Sequence, residues 1–106
     1  MSKEWDNKTT EELFKAVVAL ENLDETKRFL RDLLTEAELA EFANRWKAAR
    51  MLDQKDSYIT IADKTGLSSA TIARISKWLN NGMGGYRLML DKLSAHHHNP
   101  LLLRKG

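Results

Sequence analysis

Cysteine is absent from this 106-residue chain, which excludes a disulfide scaffold, cysteine-ligated zinc and thiol chemistry. Chains without it are at home in a reducing compartment, so the cytoplasm is the expected location. Proline occurs once, at Pro100, and glycine only at Gly66, Gly82, Gly84, Gly85 and Gly106. Nothing therefore interrupts a helical pattern over the first 65 residues. Long apolar runs are missing too: the longest near the N-terminus, Ala16 to Leu20, falls far short of the roughly 20 residues that cross a bilayer. Neither a membrane partner nor a cleaved leader is expected. Histidine is confined to His96, His97 and His98, and the chain has no Gly-rich phosphate loop and no Ser/His/Asp arrangement, so an enzyme is not expected.

What is present is an ordinary soluble composition, 42% hydrophobic and 30% charged, in a length that suits one domain with a thin core. Helices whose apolar stripes exceed one such core can bury them in a second chain. The formal charge of +2 is unevenly spread. Residues 1 to 55 carry ten Lys/Arg against twelve Asp/Glu, and residues 56 to 106 carry seven against three. A polyanion would meet the C-terminal half.

The chain reads as all-α. Thr9 and Glu12 have capping-box spacing ahead of Leu13, Phe14, Val17, Val18 and Leu20, which predicts a first helix of about Thr10 to Glu21. Asp24 is the expected cap of a second helix bearing Phe29, Leu30, Leu33 and Leu34. Thr35 with Glu38 repeats the capping spacing before a third, about Glu36 to Leu52, on which Leu39, Phe42, Ala43, Trp46, Ala49 and Arg50 form a stripe that wants a partner surface. Two short helices follow, Tyr58 to Thr65 and Ser68 to Leu79, with Asn80, Asn81 and Gly82 as C-cap, and a last helix runs from about Gly85 to His96. The expected organisation is a single domain with N-terminal helices over 10–55, a helix-turn-helix over 58–80 and a C-terminal helix over 85–97.

The segment YITIADKTGLSSATIARISKWL, from Tyr58 to Leu79, has the spacings of a helix-turn-helix. Ala62 is small enough for close approach, Gly66 can turn left-handed, Leu67 fills the corner, and Ser68 or Ser69 can cap the second helix. At 100° per residue Ile72, Ile75 and Leu79 fall within about 60° of one another and must face inward, leaving Ala70, Ala73, Arg74 and Lys77 opposite. Small residues permit entry to a major groove, and cations suit phosphate or guanine. Ser69, Ala70, Ala73 and Arg74 are the expected base contacts; Lys64, Thr71, Lys77 and Arg87 are the expected phosphate contacts. The alternative from another class is a helical protein-interaction module that keeps this motif for structure or docking.

Those residues, TIADKTGLSSATIARISKWLNNG preceded by DLLTEAELAEFANRWKAARML, resemble the Trp repressor superfamily, most closely its YerC/YecD-like branch, over about residues 10 to 95. The resemblance implies about six helices, an intertwined homodimer built on the N-terminal helices, and two helix-turn-helix units facing successive major grooves of double-stranded DNA. It makes the protein a transcriptional regulator, expected to be a repressor, with Phe14, Phe29, Leu30, Leu33, Leu34, Phe42 and Trp46 as candidate interface residues. Tryptophan-responsive members hold their corepressor beside the recognition helix with a threonine opening the third helix, an arginine within it, an arginine in the recognition helix, and a glycine and a serine just after. Thr35, Arg45 and Arg74 match, but Ile75 and Trp78 stand at the glycine and serine positions. Both add bulk, so the expectation is a pocket filled from within by Trp78 or Ile75, and DNA binding without L-tryptophan or under another small ligand; as a plain structural residue Trp78 reads as a core aromatic.

No cofactor or metal is expected. Successive side chains of His96, His97 and His98 point 100° apart on a regular helix and cannot all reach one ion. The stretch from Gly82 to Gly85 lies between helices, with no strand before it, and reads as a hinge rather than a phosphate cradle.

Overall fold

The computed structural model describes residues 4–98, with side-chain environments given through Ser94. Among these residues it is all-α, six helices and no strand: α1 (Lys8–Val18), α2 (Leu23–Leu33), α3 (Glu36–Asp53), α4 (Tyr58–Thr65), α5 (Ser69–Asn81) and α6 (Gly85–His98). No described helix is long and apolar enough to cross a membrane. The chain divides into two compact units, Met1–Leu39 and Ala40–Gly106. The division falls inside α3, well before residue 55, because the C-terminal half of α3 shares its core with the helices that follow.

In the first unit the helix starts differ from those expected. Asn7, not Thr9, caps α1: its side chain accepts from Thr10 N at 3.0 Å, while Thr10 Oγ1 accepts from Asn7 N at 3.1 Å. Asn22, not Asp24, caps α2 by accepting from Glu25 N at 2.9 Å. In both cases an asparagine two residues upstream supplies the same acceptor and starts the helix earlier; α1 ends at Val18 rather than Glu21. The capping box at the head of α3 is as expected, with Thr35 N donating to Glu38 Oε1 at 2.9 Å and Glu38 N donating to Thr35 Oγ1 at 3.1 Å. Neither α1 nor α2 contains a buried residue.

The second unit has a dry core. Ala48 and Ala49 of α3, Ile61 of α4, and Ile72 and Ile75 of α5 form one buried cluster, with Trp46, Met51, Leu52, Ala62, Leu67 and Tyr86 packed around it. On α3 it is the alanine pair that is buried, whereas Phe42 is exposed. The small alanines share this cluster with the isoleucines of α4 and α5. Trp46 stacks on Tyr86 with ring centroids 6.3 Å apart and planes at 19°, so this candidate interface residue has an intrachain partner. Helix α3 ends without glycine. Lys55 takes φ 69, Asp56 N donates to Met51 O and Lys55 N to Leu52 O, both at 3.0 Å. This is the Schellman pattern with lysine where glycine is usual.

Burial holds the Tyr86 phenol above its ordinary value of 10.0, opposed by the nearby positive charge of Arg45. A group whose folded pKa is raised contributes stability that is fully present below the unfolded value and is lost as pH rises through the folded one. The urea midpoint should therefore fall above about pH 10 in the wild type, and less steeply in Tyr86→Phe, when the two are titrated side by side. Ile72→Ala, which empties a fully buried site, should lower unfolding free energy by about 2–5 kcal/mol in denaturant titration.

Candidate nucleic-acid interface

Every element of the turn is specified within a few residues of itself. Ser57 caps α4, its Oγ accepting from Thr60 N at 3.1 Å. Gly66 ends α4 in the left-handed region at φ 76, donating its N–H to Ala62 O at 2.8 Å, and a Cβ there would meet no atom within 4 Å. Glycine is required for its backbone angle, not for space. Ser68, rather than Ser69, caps α5, with Thr71 N donating to Ser68 Oγ at 3.1 Å. The buried Thr65 bridges the corner: its hydroxyl donates to Ile61 O at 2.7 Å and accepts from Leu67 N at 3.2 Å. Thr65 was silent in the sequence because nothing distinguishes a bridging threonine from an exposed one without the turn geometry.

On α5 the inward residues Ile72, Ile75 and Leu79 are buried, while Ser69, Ala70, Ala73, Arg74 and Lys77 are exposed. The four expected base readers thus lie together on the open side of one helix, and no acidic residue occurs in it. Among the described residues no carboxylate forms an ion pair with Lys64, Arg74 or Lys77; the ion pairs fall on Lys15, Arg28, Arg31, Arg45 and Arg87 instead. Thr71 is half-buried and its hydroxyl lies 3.0 Å from that of Ser68, so it is partly engaged within the cap.

Arg87 differs from the other expected phosphate contacts. It pairs with Asp53 at 2.9 Å and Asp91 at 3.5 Å, and the hydrogen bond and charge of Asp53 raise its already high pKa. Its positive charge is offset by two carboxylates. Gly82 is the C-cap of α5, as the sequence suggested, but at φ −86 rather than in the left-handed region, and a Cβ would lie 2.5 Å from Trp78 O, so the requirement is for space. The left-handed residue between α5 and α6 is Gly84, at φ 84.

Of the corepressor-pocket positions, Thr35 is described in the first unit, where it caps α3. Arg45, Arg74, Ile75 and Trp78 belong to the second. Ile75 is 1% exposed, in the core with Ala48 and Ala49. Trp78 is not a core aromatic, being 42% exposed, because it sits one residue before Leu79 and so points away from the buried row. Arg45 donates from Nη2 to Glu41 Oε2 at 2.6 Å, and its Nε is buried with no acceptor among the described residues. No cluster of three or more metal-ligating side chains occurs among the described residues; the side chains of His96, His97 and His98 lie outside them.

Comparison with known proteins agrees with this geometry. The family described as "Trp repressor protein" matches residues 8–94. The uncharacterised protein YerC of Bacillus subtilis is 38% identical over 86 residues, which span 81% of this chain and 83% of YerC. A crystal structure of a TrpR-like protein from Eubacterium eligens superposes with a TM-score of 0.80 at 36% identity, covering 87% of this chain and 95% of that one. A candidate Trp repressor from Staphylococcus aureus gives 0.78 at 34% identity, covering 85% and 90%. A six-helix chain with this turn, matched over nearly its whole described length, belongs to the Trp repressor family, a family of helix-turn-helix regulators, and falls beside its YerC-like branch.

Proposed function

We propose that the protein is a sequence-specific DNA-binding transcriptional regulator, acting in the cytoplasm as a homodimer that represses by occupying its operator. The observation that carries this reading is the open face of α5, where short side chains stand beside unpaired cations and no acid. Ala70 and Ala73 let the helix sink into a major groove and press on thymine methyls, Ser69 bonds a base edge, and Arg74 forks onto guanine. Lys64 and Lys77 hold phosphates, with Thr71 beside them. Arg87 contributes at most a weakened phosphate contact, since Asp53 and Asp91 already share its charge.

Two copies are supported by the first unit's unspent apolar surface. Helices α1 and α2 contain no fully buried residue; Leu13, Phe29 and Leu30 are half-buried, and Phe14, Val17, Val18, Leu23 and Leu33 are exposed, Val18 to 83%. Amphipathic helices gain most of their stability from packing that face, so a second copy is the natural cover, with Phe14, Phe29, Leu30, Leu33, Leu34 and Phe42 at the seam. Two recognition helices would then read half-sites about one helical turn apart.

Selection of bound duplexes from a random pool should return a two-fold symmetric site. Arg74→Ala should cost about 1–3 kcal/mol on that site and relax preference at one base pair, while Lys77→Ala should weaken all sequences alike and reduce the salt slope by about one. Absence of any salt-sensitive duplex affinity at low ionic strength would sink the reading in favour of a protein-interaction module. The thermal midpoint should rise with protein concentration; full helicity retained by a monomer at nanomolar concentration would contradict the shared core.

A further inference from the structure

The family's responsive members leave a space beside the recognition helix for a tryptophan, and the residues at that place in this chain do not fit one. We propose that Ile75 permanently fills this space, so that the operator affinity argued above, on which this inference rests, is independent of L-tryptophan. Where the resemblance places a glycine in the tryptophan-responsive members, this chain has an isoleucine whose side chain is 1% exposed and shares one core with Ala48, Ala49, Ile61 and Ile72. A dry, close-packed cluster cannot also hold an indole without expelling that side chain.

The polar half of an amino-acid site is compromised as well. Arg45, whose matching arginine would face the ligand, has its guanidinium bound to Glu41 at 2.6 Å. That ion pair with Glu41 competes with any ligand carboxylate for the same guanidinium, which as a donor-only cation offers nothing to an ammonium. Trp78 occupies the serine position with an aromatic ring that has no hydroxyl to donate.

Two measurements on the full chain separate this inference from the DNA-binding reading. Calorimetric titration of the free protein with L-tryptophan should give no binding heat at millimolar ligand; a saturable isotherm with micromolar affinity would overturn the proposal whatever the DNA result. Fluorescence anisotropy of a selected duplex, with and without L-tryptophan, should change affinity by less than about twofold, whereas a tightening of about fivefold or more, the usual range for a coupled effector, would overturn it. If no duplex binds under either condition the DNA reading fails, and the calorimetry alone still decides whether the space is closed. The double variant Ile75→Gly with Trp78→Ser should acquire calorimetric binding of L-tryptophan; Ile75→Ala with Trp78→Ser, which keeps better helix propensity, serves if the first does not fold. Absence of binding by a folded variant would count against Ile75 as the occupant.

Discussion

The buried apolar cluster in which Ala48 and Ala49 of α3 meet Ile61 of α4 and Ile72 and Ile75 of α5 is the contact on which the rest depends. Burying three isoleucines, each at about 1.5–3 kcal/mol, outweighs the exposed i,i+4 ion pairs, worth a few tenths each. Because the inward row of α5 is fixed by this packing, its outward row is fixed too. Ser69, Ala70, Ala73 and Arg74 are presented to solvent as a consequence of where Ile72 and Ile75 must go, and a slip of one residue along the helix would bury the arginine.

The same contact joins fold to regulation. On the reading proposed above, Ile75 takes up the room beside α5 that a ligand would need. The first unit shows the opposite condition, two amphipathic helices without a core of their own. The buried cluster thus lies in one part of the chain and the exposed apolar side chains of α1 and α2 in the other, and this contrast matches the division of charge, with the cation excess in the C-terminal part and the acid excess in the N-terminal one.

Much of this was legible in the sequence, for identifiable reasons. The limits of α4 came out residue for residue because Gly66 and the Ser57 to Ser68 punctuation leave one solution, and the inward row of α5 followed from spacing alone. The caps of α1 and α2 were misplaced because Asn7 competes with Thr9, and Asn22 with Asp24, for one role, and only the backbone decides between them. Phe42 drew attention by size, yet the buried residues of α3 are alanines. Trp78 was read as core on hydrophobicity, when its neighbour Leu79 takes the inward direction. Lys55, turning left-handed where glycine would be expected, carries no sequence signal at all.

The bonds that shape the recognition element all span short stretches of chain: Ser57 to Thr60, Ile61 to Thr65, Ala62 to Gly66, Ser68 to Thr71. Closing such loops costs little chain entropy, and contacts this local form on the fast end of the folding timescale. The turn and the helix that follows it can thus form early, on contacts within their own stretch of chain.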